Sequence, residues 1–306
     1  MDTRFVRCCA LSLAAFSLIP AINILADPLP GEVLKFSQLP LGSPLNPNGF
    51  PGHDELSTAI RNSDNVYSGT FAADDFADKF STPVVHVQWW GSYLAGATSP
   101  NHVQQFLISF ESDVPADPAG GFSTPGTPLL SQIVTLGALA PASGTFTEAP
   151  FNTVGAEPTY MYNAELSVPF AEHPDTVYWL KIVALTNPND GIAWGWHNRD
   201  YTVPDVLAST APAVNPGERN LGTTSLPLWH FQDDAVTGDI VYNIPQNFPS
   251  EAGFQPLVYN NITDGIPPGV APPSEDLAFN LYTVPEPMCL APLAATVLIA
   301  RRRSRS

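Results

Sequence analysis

The residues best suited to chemistry are acidic and aromatic. Asp74-Asp75 form one adjacent pair, and Asp233-Asp234 with Asp239 form a second group. Neighbouring aspartates in loops supply hard oxygens to Ca²⁺, or cap turns through their own backbone. Their spacing does not match an EF-hand loop. Four of the six tryptophans form two groups, Trp89-Trp90 and Trp194-Gly195-Trp196. In the first, one indole must face a core, leaving Trp90 to stack on a sugar ring. Trp194 and Trp196 share a face, with the same alternatives of sugar stacking and core packing.

Other chemistries are poorly served. The six histidines form neither a His-x-His nor a His-Glu-x-x-His pair, so no zinc hydrolase is signalled. Gly121-Phe122-Ser123-Thr124-Pro125-Gly126 misses a nucleophile elbow by one residue and sits in a proline-rich stretch without the strand and helix that motif requires. There is no P-loop and no dinucleotide fingerprint. A glycosidase needs two carboxylates, but in so acidic a chain their abundance selects no pair. The sequence reads as a non-enzymatic protein, with a carbohydrate-binding module and a polysaccharide-active hydrolase or lyase as alternatives.

Period two dominates the elements that would carry these residues. In Pro83–Tyr93, Val85, Val87 and Trp89 take one face and His86, Gln88 and Trp90 the other. In Met161–Val168, Tyr162, Ala164, Leu166 and Val168 oppose Asn163, Glu165 and Ser167. Thr176–Leu185 is apolar on both faces and predicts a central strand. Asn187-Pro188-Asn189-Asp190-Gly191 then predicts a turn closing a hairpin onto Ile192–His197. Asp276–Thr283 reads as a last strand. Residues 113–128, 200–225 and 244–275 read as loops. With 33 prolines, 21 glycines and no helical stripe, the body is expected to be all-β. The architecture predicted is a single antiparallel β-sandwich, jelly-roll-like, over residues 27–283.

Charge and cysteine separate this body from its ends. Only Lys35, Arg61, Lys79, Lys181, Arg199 and Arg219 are basic between residues 27 and 287, whereas Asp2 is the sole acidic residue outside that range. So acidic a surface repels nucleic acid and anionic membranes. Cys8, Cys9 and Cys289 all lie in the terminal segments, so the body has no internal disulfide and no thiolate chemistry.

Both ends read as export signals. Arg4 and Arg7 precede an apolar run from Cys8 to Leu25, with Ala26 before a cleavage point, so residues 1–26 read as a signal peptide. At the other end, Pro285-Glu286-Pro287 precedes the apolar run Met288–Ala300, and Arg301, Arg302 and Arg303 follow it. As a helix that run would be about 20 Å long, against about 30 Å of bilayer hydrocarbon. Residues 284–306 resemble the PEP-CTERM sorting tail of Gram-negative bacteria that make exopolysaccharide. The resemblance implies that Pro285, Glu286 and Pro287 are the recognition motif and Arg301–Arg303 the basic stop. It also implies an exosortase-type membrane transpeptidase as partner, an inner-membrane intermediate, and a destination at the cell surface or beyond.

A second resemblance rests on six strings in order: Ala73-Asp74-Asp75-Phe76, Val87–Tyr93, Tyr178-Trp179-Leu180, Trp194-Gly195-Trp196, His230–Ala235 and Asp276–Phe279. Together they resemble an uncharacterised family of exported bacterial β-domains, matching from Leu34 to Thr283. That family implies fold and location but no activity.

Overall fold

The computed structural model describes residues 28–40, 54–93, 102–115, 122–154, 157–199, 235–244, 248–257 and 276–285. Among these the protein is all-β, with almost no helix. In chain order the strands are β1 (Val33–Gln38), β2 (Asp54–Leu56), β3 (Thr58–Arg61), β4 (Val66–Phe76), β5 (Val84–Tyr93), β6 (Gln105–Val114) and β7 (Thr124–Leu136). There follow β8 (Thr145–Val154), β9 (Glu157–Phe170), β10 (Tyr178–Thr186), β11 (Trp194–His197), β12 (Val236–Asn243), β13 (Pro249–Pro256) and β14 (Phe279–Thr283). They form one sheet in the order β1-β14-β5-β9-β8-β7-β6-β10-β3-β4-β12-β13, with β11 pairing β5 and β2. Nearly all pairings are antiparallel. The exceptions are β10 with β3 and the short contact of β7 with β8.

The sheet bends so that strands distant in this order meet. Phe106 of β6 packs against Trp89 of β5 at 5.1 Å between ring centroids, and against Trp194 of β11 at 4.9 Å. Phe76 of β4 meets Phe36 of β1 at 5.8 Å and Phe279 of β14 at 6.2 Å. These rings form the main core with Tyr162, Phe110 and Phe146, all fully buried. A second core lies on the other face of β4, β6, β10 and β12, around Phe71, Leu107, Trp179 and Ile240. Strand β10 is therefore buried along its whole length, which explains why both its faces are apolar apart from Lys181.

Several expectations are corrected. β10 and β11 do not form a hairpin: β10 pairs with β3, β4 and β6, and β11 with β2 and β5. The stretch expected as a loop at 113–128 contains the end of β6 and the start of β7, and 244–275 contains β13. Proline misled in both cases, since Pro125, Pro128, Pro249 and Pro256 sit within strands at irregular or terminal positions. Alternation also breaks where β5 meets β9. His86 pairs with Glu165 but Val84 with Phe170, so the register slips between them. Val85 is left half-buried and Val168 54% exposed, off the face assigned to each.

Close packing of β11 on β5 depends on Gly91. A Cβ there would stand 2.3 Å from Trp194 Cζ2 and 2.4 Å from the Gly195 carbonyl oxygen. The first and last of these strands are neighbours: β14 lies between β1 and β5, and Val33 pairs with Thr283. The chain thus enters β1 and leaves β14 at the same end of the sheet.

Candidate functional site

The most distinctive polar site lies beside the register slip, where three separate segments converge. His86 projects from β5 on the face away from the main core, and Glu165 stands directly across from it on β9. Glu32, from the turn just before β1, completes the group. His86 Nδ1 lies 2.9 Å from Glu165 Oε1 and 3.1 Å from Glu32 Oε2. Glu32 is held by its own turn, where Oε2 accepts the Leu29 N–H at 2.9 Å. The other imidazole nitrogen, Nε2, faces Asn163 Oδ1 at 3.1 Å.

Behind the histidine runs a buried row of amides. Gln88 Nε2 donates to Asn163 Oδ1 at 2.9 Å, while Gln88 Oε1 accepts from Asn280 Nδ2 at 2.7 Å and from the Tyr282 hydroxyl at 3.2 Å. The Tyr282 ring meets the imidazole edge-on at 5.1 Å. Burial pushes the His86 imidazole down, but hydrogen bonds to Glu165 and Glu32, and their charge, outweigh it and push it up to about 8. Burial likewise raises Glu165, against the pull of His86. Among the described residues these three side chains form the one group of imidazole and carboxylate ligands able to close on a metal ion, with ligand atoms all within 4.8 Å of one another.

The residues singled out from sequence lie elsewhere. Asp74 and Asp75 are on β4, not in a loop. Successive strand residues face opposite ways, so Asp74 shares the side of Ala72 and Phe76 in the main core, and Asp75 that of Phe71 and Ala73 in the second. Their carboxylates cannot converge on one Ca²⁺. Asp74 instead accepts the Leu277 N–H at 2.7 Å and the Asp75 N–H at 2.9 Å. Burial, then the charge of Asp276, raises it well above the usual carboxylate range. Asp239 is exposed on β12, and Asp233 and Asp234 lie outside the described residues.

The three indoles considered for sugar stacking are interior. Trp194 and Trp196 are fully buried and Trp90 is 3% exposed. Trp194 donates to the Tyr162 hydroxyl at 3.0 Å, Trp196 donates to the Ala278 carbonyl at 2.9 Å, and Trp90 packs with Met161 and Ala278. Rings so enclosed offer no face to a sugar. Pro285 is exposed just past β14, whereas Glu286, Pro287, Arg301, Arg302 and Arg303 lie outside the described residues.

Other buried charges sit in closed groups. Lys35 is held by Glu172 and by Asp78 at 3.4 Å. Lys181 lies between Glu111, at 2.8 Å, and Glu251. Ser92, Asp54 and His197 also meet, but the aspartate is central: Ser92 donates to Asp54 Oδ2 at 2.6 Å, and His197 contacts Asp54 Oδ1 at 2.8 Å. A serine nucleophile needs the histidine in the middle to take its proton, so this row is not a catalytic triad.

Residues 34–259 match the family described as a domain of unknown function (DUF7901). The chain belongs to that family. Its DUF7901 segment runs from β1 through β13 and includes His86 and Glu165, while Glu32 and β14 flank it. No curated protein and no solved structure matches the chain.

Proposed function

We propose that this DUF7901 protein is a non-enzymatic structural or interaction protein of the cell envelope or extracellular matrix. In this reading residues 1–26 direct export and are removed. The tail from 284 to 306 holds the protein at the inner membrane until an exosortase-type transpeptidase acts at Pro285-Glu286-Pro287. The body then functions at the surface or within exopolysaccharide. The two limbs of the bent sheet face each other as a jelly-roll-like sandwich, and the ring contacts of Phe106 with Trp89 and of Phe76 with Phe279 support that finer description.

One observation carries the reading. Val33 and Thr283 are paired neighbours, so the segments read as signal and tail leave the body side by side. Such an arrangement suits a domain delivered and attached from one end, with the rest of the sheet projecting away. The closed ion pairs around Lys35 and Lys181 support a rigid scaffold in preference to a reactive cleft. The acidic body fits a soluble existence outside the membrane.

The test is expression of the full chain in an exopolysaccharide-producing Gram-negative host, with and without its exosortase. Released or surface-bound protein lacking residues 1–26 is expected when the transpeptidase is present. Replacing Pro285, Glu286 and Pro287 by alanine should leave the protein in the inner-membrane fraction. Cytosolic protein with both ends uncut would overturn the reading.

A further inference from the structure

We propose that Glu32, His86 and Glu165 form a binding site for one divalent transition-metal ion, Zn²⁺ being the best fit to their donor set. A tetrahedral zinc ion with bonds of about 2.0–2.1 Å places its ligands about 3.3 Å apart. His86 Nδ1 already lies 2.9 Å from Glu165 Oε1 and 3.1 Å from Glu32 Oε2. A shift of a few tenths of an ångström opens the centre for the ion.

The surroundings also orient the ligand. Asn163 presents its amide oxygen to His86 Nε2, and the same oxygen accepts a hydrogen bond from Gln88. Gln88 in turn is oriented by the two donors on its own oxygen, Asn280 Nδ2 and the Tyr282 hydroxyl. The Nε2 atom therefore carries a proton, and the proton that Nδ1 donates to the two carboxylates is the one an incoming cation would displace, turning the Nδ1 lone pair onto the ion. Such an outer partner, fixing the tautomer of a ligating histidine, is a regular part of metal sites.

Charge points the same way. Two carboxylates and a neutral imidazole balance a doubly charged cation. With a proton on Nδ1 instead, a single imidazolium serves two carboxylates, and among the described residues no other cationic side chain is paired with either one. One nitrogen and two oxygens suit Zn²⁺ better than Ca²⁺, which takes six to eight oxygen ligands. Three protein ligands leave a fourth position for water. Because Glu32 precedes β1 while His86 and Glu165 lie on β5 and β9, the ion would fasten the arriving chain to the sheet.

The full chain, stripped with chelator, is titrated with Zn²⁺ against a chromophoric competitor. The expected result is a tight equivalent that Glu32→Gln and Glu165→Gln each weaken at least tenfold, with Asn163→Ala weakening it about tenfold through loss of the outer hydrogen bond. Glu32→Gln lies in a turn outside the strands, so it tests the site without threatening the fold. In the Co²⁺-loaded protein, the visible absorption of a four-coordinate ion should appear and should vanish in Glu32→Gln. Absence of a tight equivalent in the wild type, or equal affinity and spectrum in Glu32→Gln and Glu165→Gln, would overturn the site.

Discussion

His86 stands directly across from Glu165 on adjacent strands, with Nδ1 2.9 Å from Oε1 in an interior that reaches neither side chain with bulk water. Removing the imidazole leaves Glu165 and Glu32 facing each other without their shared cation, and breaking a buried pair in this way costs about 3–5 kcal/mol. In chelator-treated protein at pH 6, His86→Leu is therefore expected to lower the unfolding free energy by about 3 kcal/mol. Glu165→Leu should cost less, because Glu32 stays 3.1 Å from His86 Nδ1. Urea unfolding of His86→Leu, Glu165→Leu and the double variant measures the coupling, and strictly additive losses would refute it.

Gly91 sets how closely β11 lies on β5. Since an added Cβ would fall 2.3 Å from the Trp194 ring, Gly91→Ala must push that indole or its strand outward. Overpacking of this kind costs roughly 1–3 kcal/mol. The melting temperature should fall and the tryptophan emission should shift to the red. Unchanged values for both would show that β11 does not pack as described.

Trp196 is a core residue whose indole also donates to the Ala278 carbonyl. Trp196→Ala should destabilise by about 3–5 kcal/mol through the cavity it leaves. Trp196→Phe should cost less, losing chiefly the hydrogen bond and part of the packing. Chemical denaturation separates the two, and an alanine variant as stable as the wild type would contradict the burial.

Lys181 sets a pH dependence whose sign can be worked out. Burial pulls its ammonium down to about 8, against the favourable charge of Glu111. Unfolded lysine keeps its proton until about 10.4. Between these values the unfolded chain binds the extra proton, so stability from this group rises with pH across that window. The gain is on the order of 3 kcal/mol at about 1.4 kcal/mol per pH unit. The difference in unfolding free energy between the wild type and Lys181→Met, followed from pH 7.5 to 10.5, should move in favour of the wild type. A flat difference would mean that the ammonium keeps its proton throughout.

Local pattern carried the strand content. The two-faced apolar run of β10, and the apolar positions Leu277, Phe279 and Leu281 at the end of the body, were legible because burial imposes period two on each strand by itself. Pairing was not legible, because partners lie far apart in the chain. His86-Gln88 and Asn163-Glu165 were each visible as polar stripes, yet only the β5–β9 pairing makes them one network. Glu32 gave no signal, sitting in an ordinary turn. Asp74-Asp75 misled through adjacency, which brings side chains together in a loop and separates them on a strand. The tryptophans misled through amphipathicity, since the hydrogen bonds of Trp194 and Trp196 are met inside the protein.

The position of β14 has a mechanical consequence. It is flanked on both sides, by β1 and β5, and Phe279 and Leu281 anchor it in the core. A pull on the chain beyond Thr283 runs along the strand axis and loads both rows of backbone hydrogen bonds in shear, so they resist together. A terminal strand on the sheet's outer margin, pulled crosswise, would instead unzip bond by bond. A body fixed through residues 284 onward would therefore withstand drag at the very point where drag is applied.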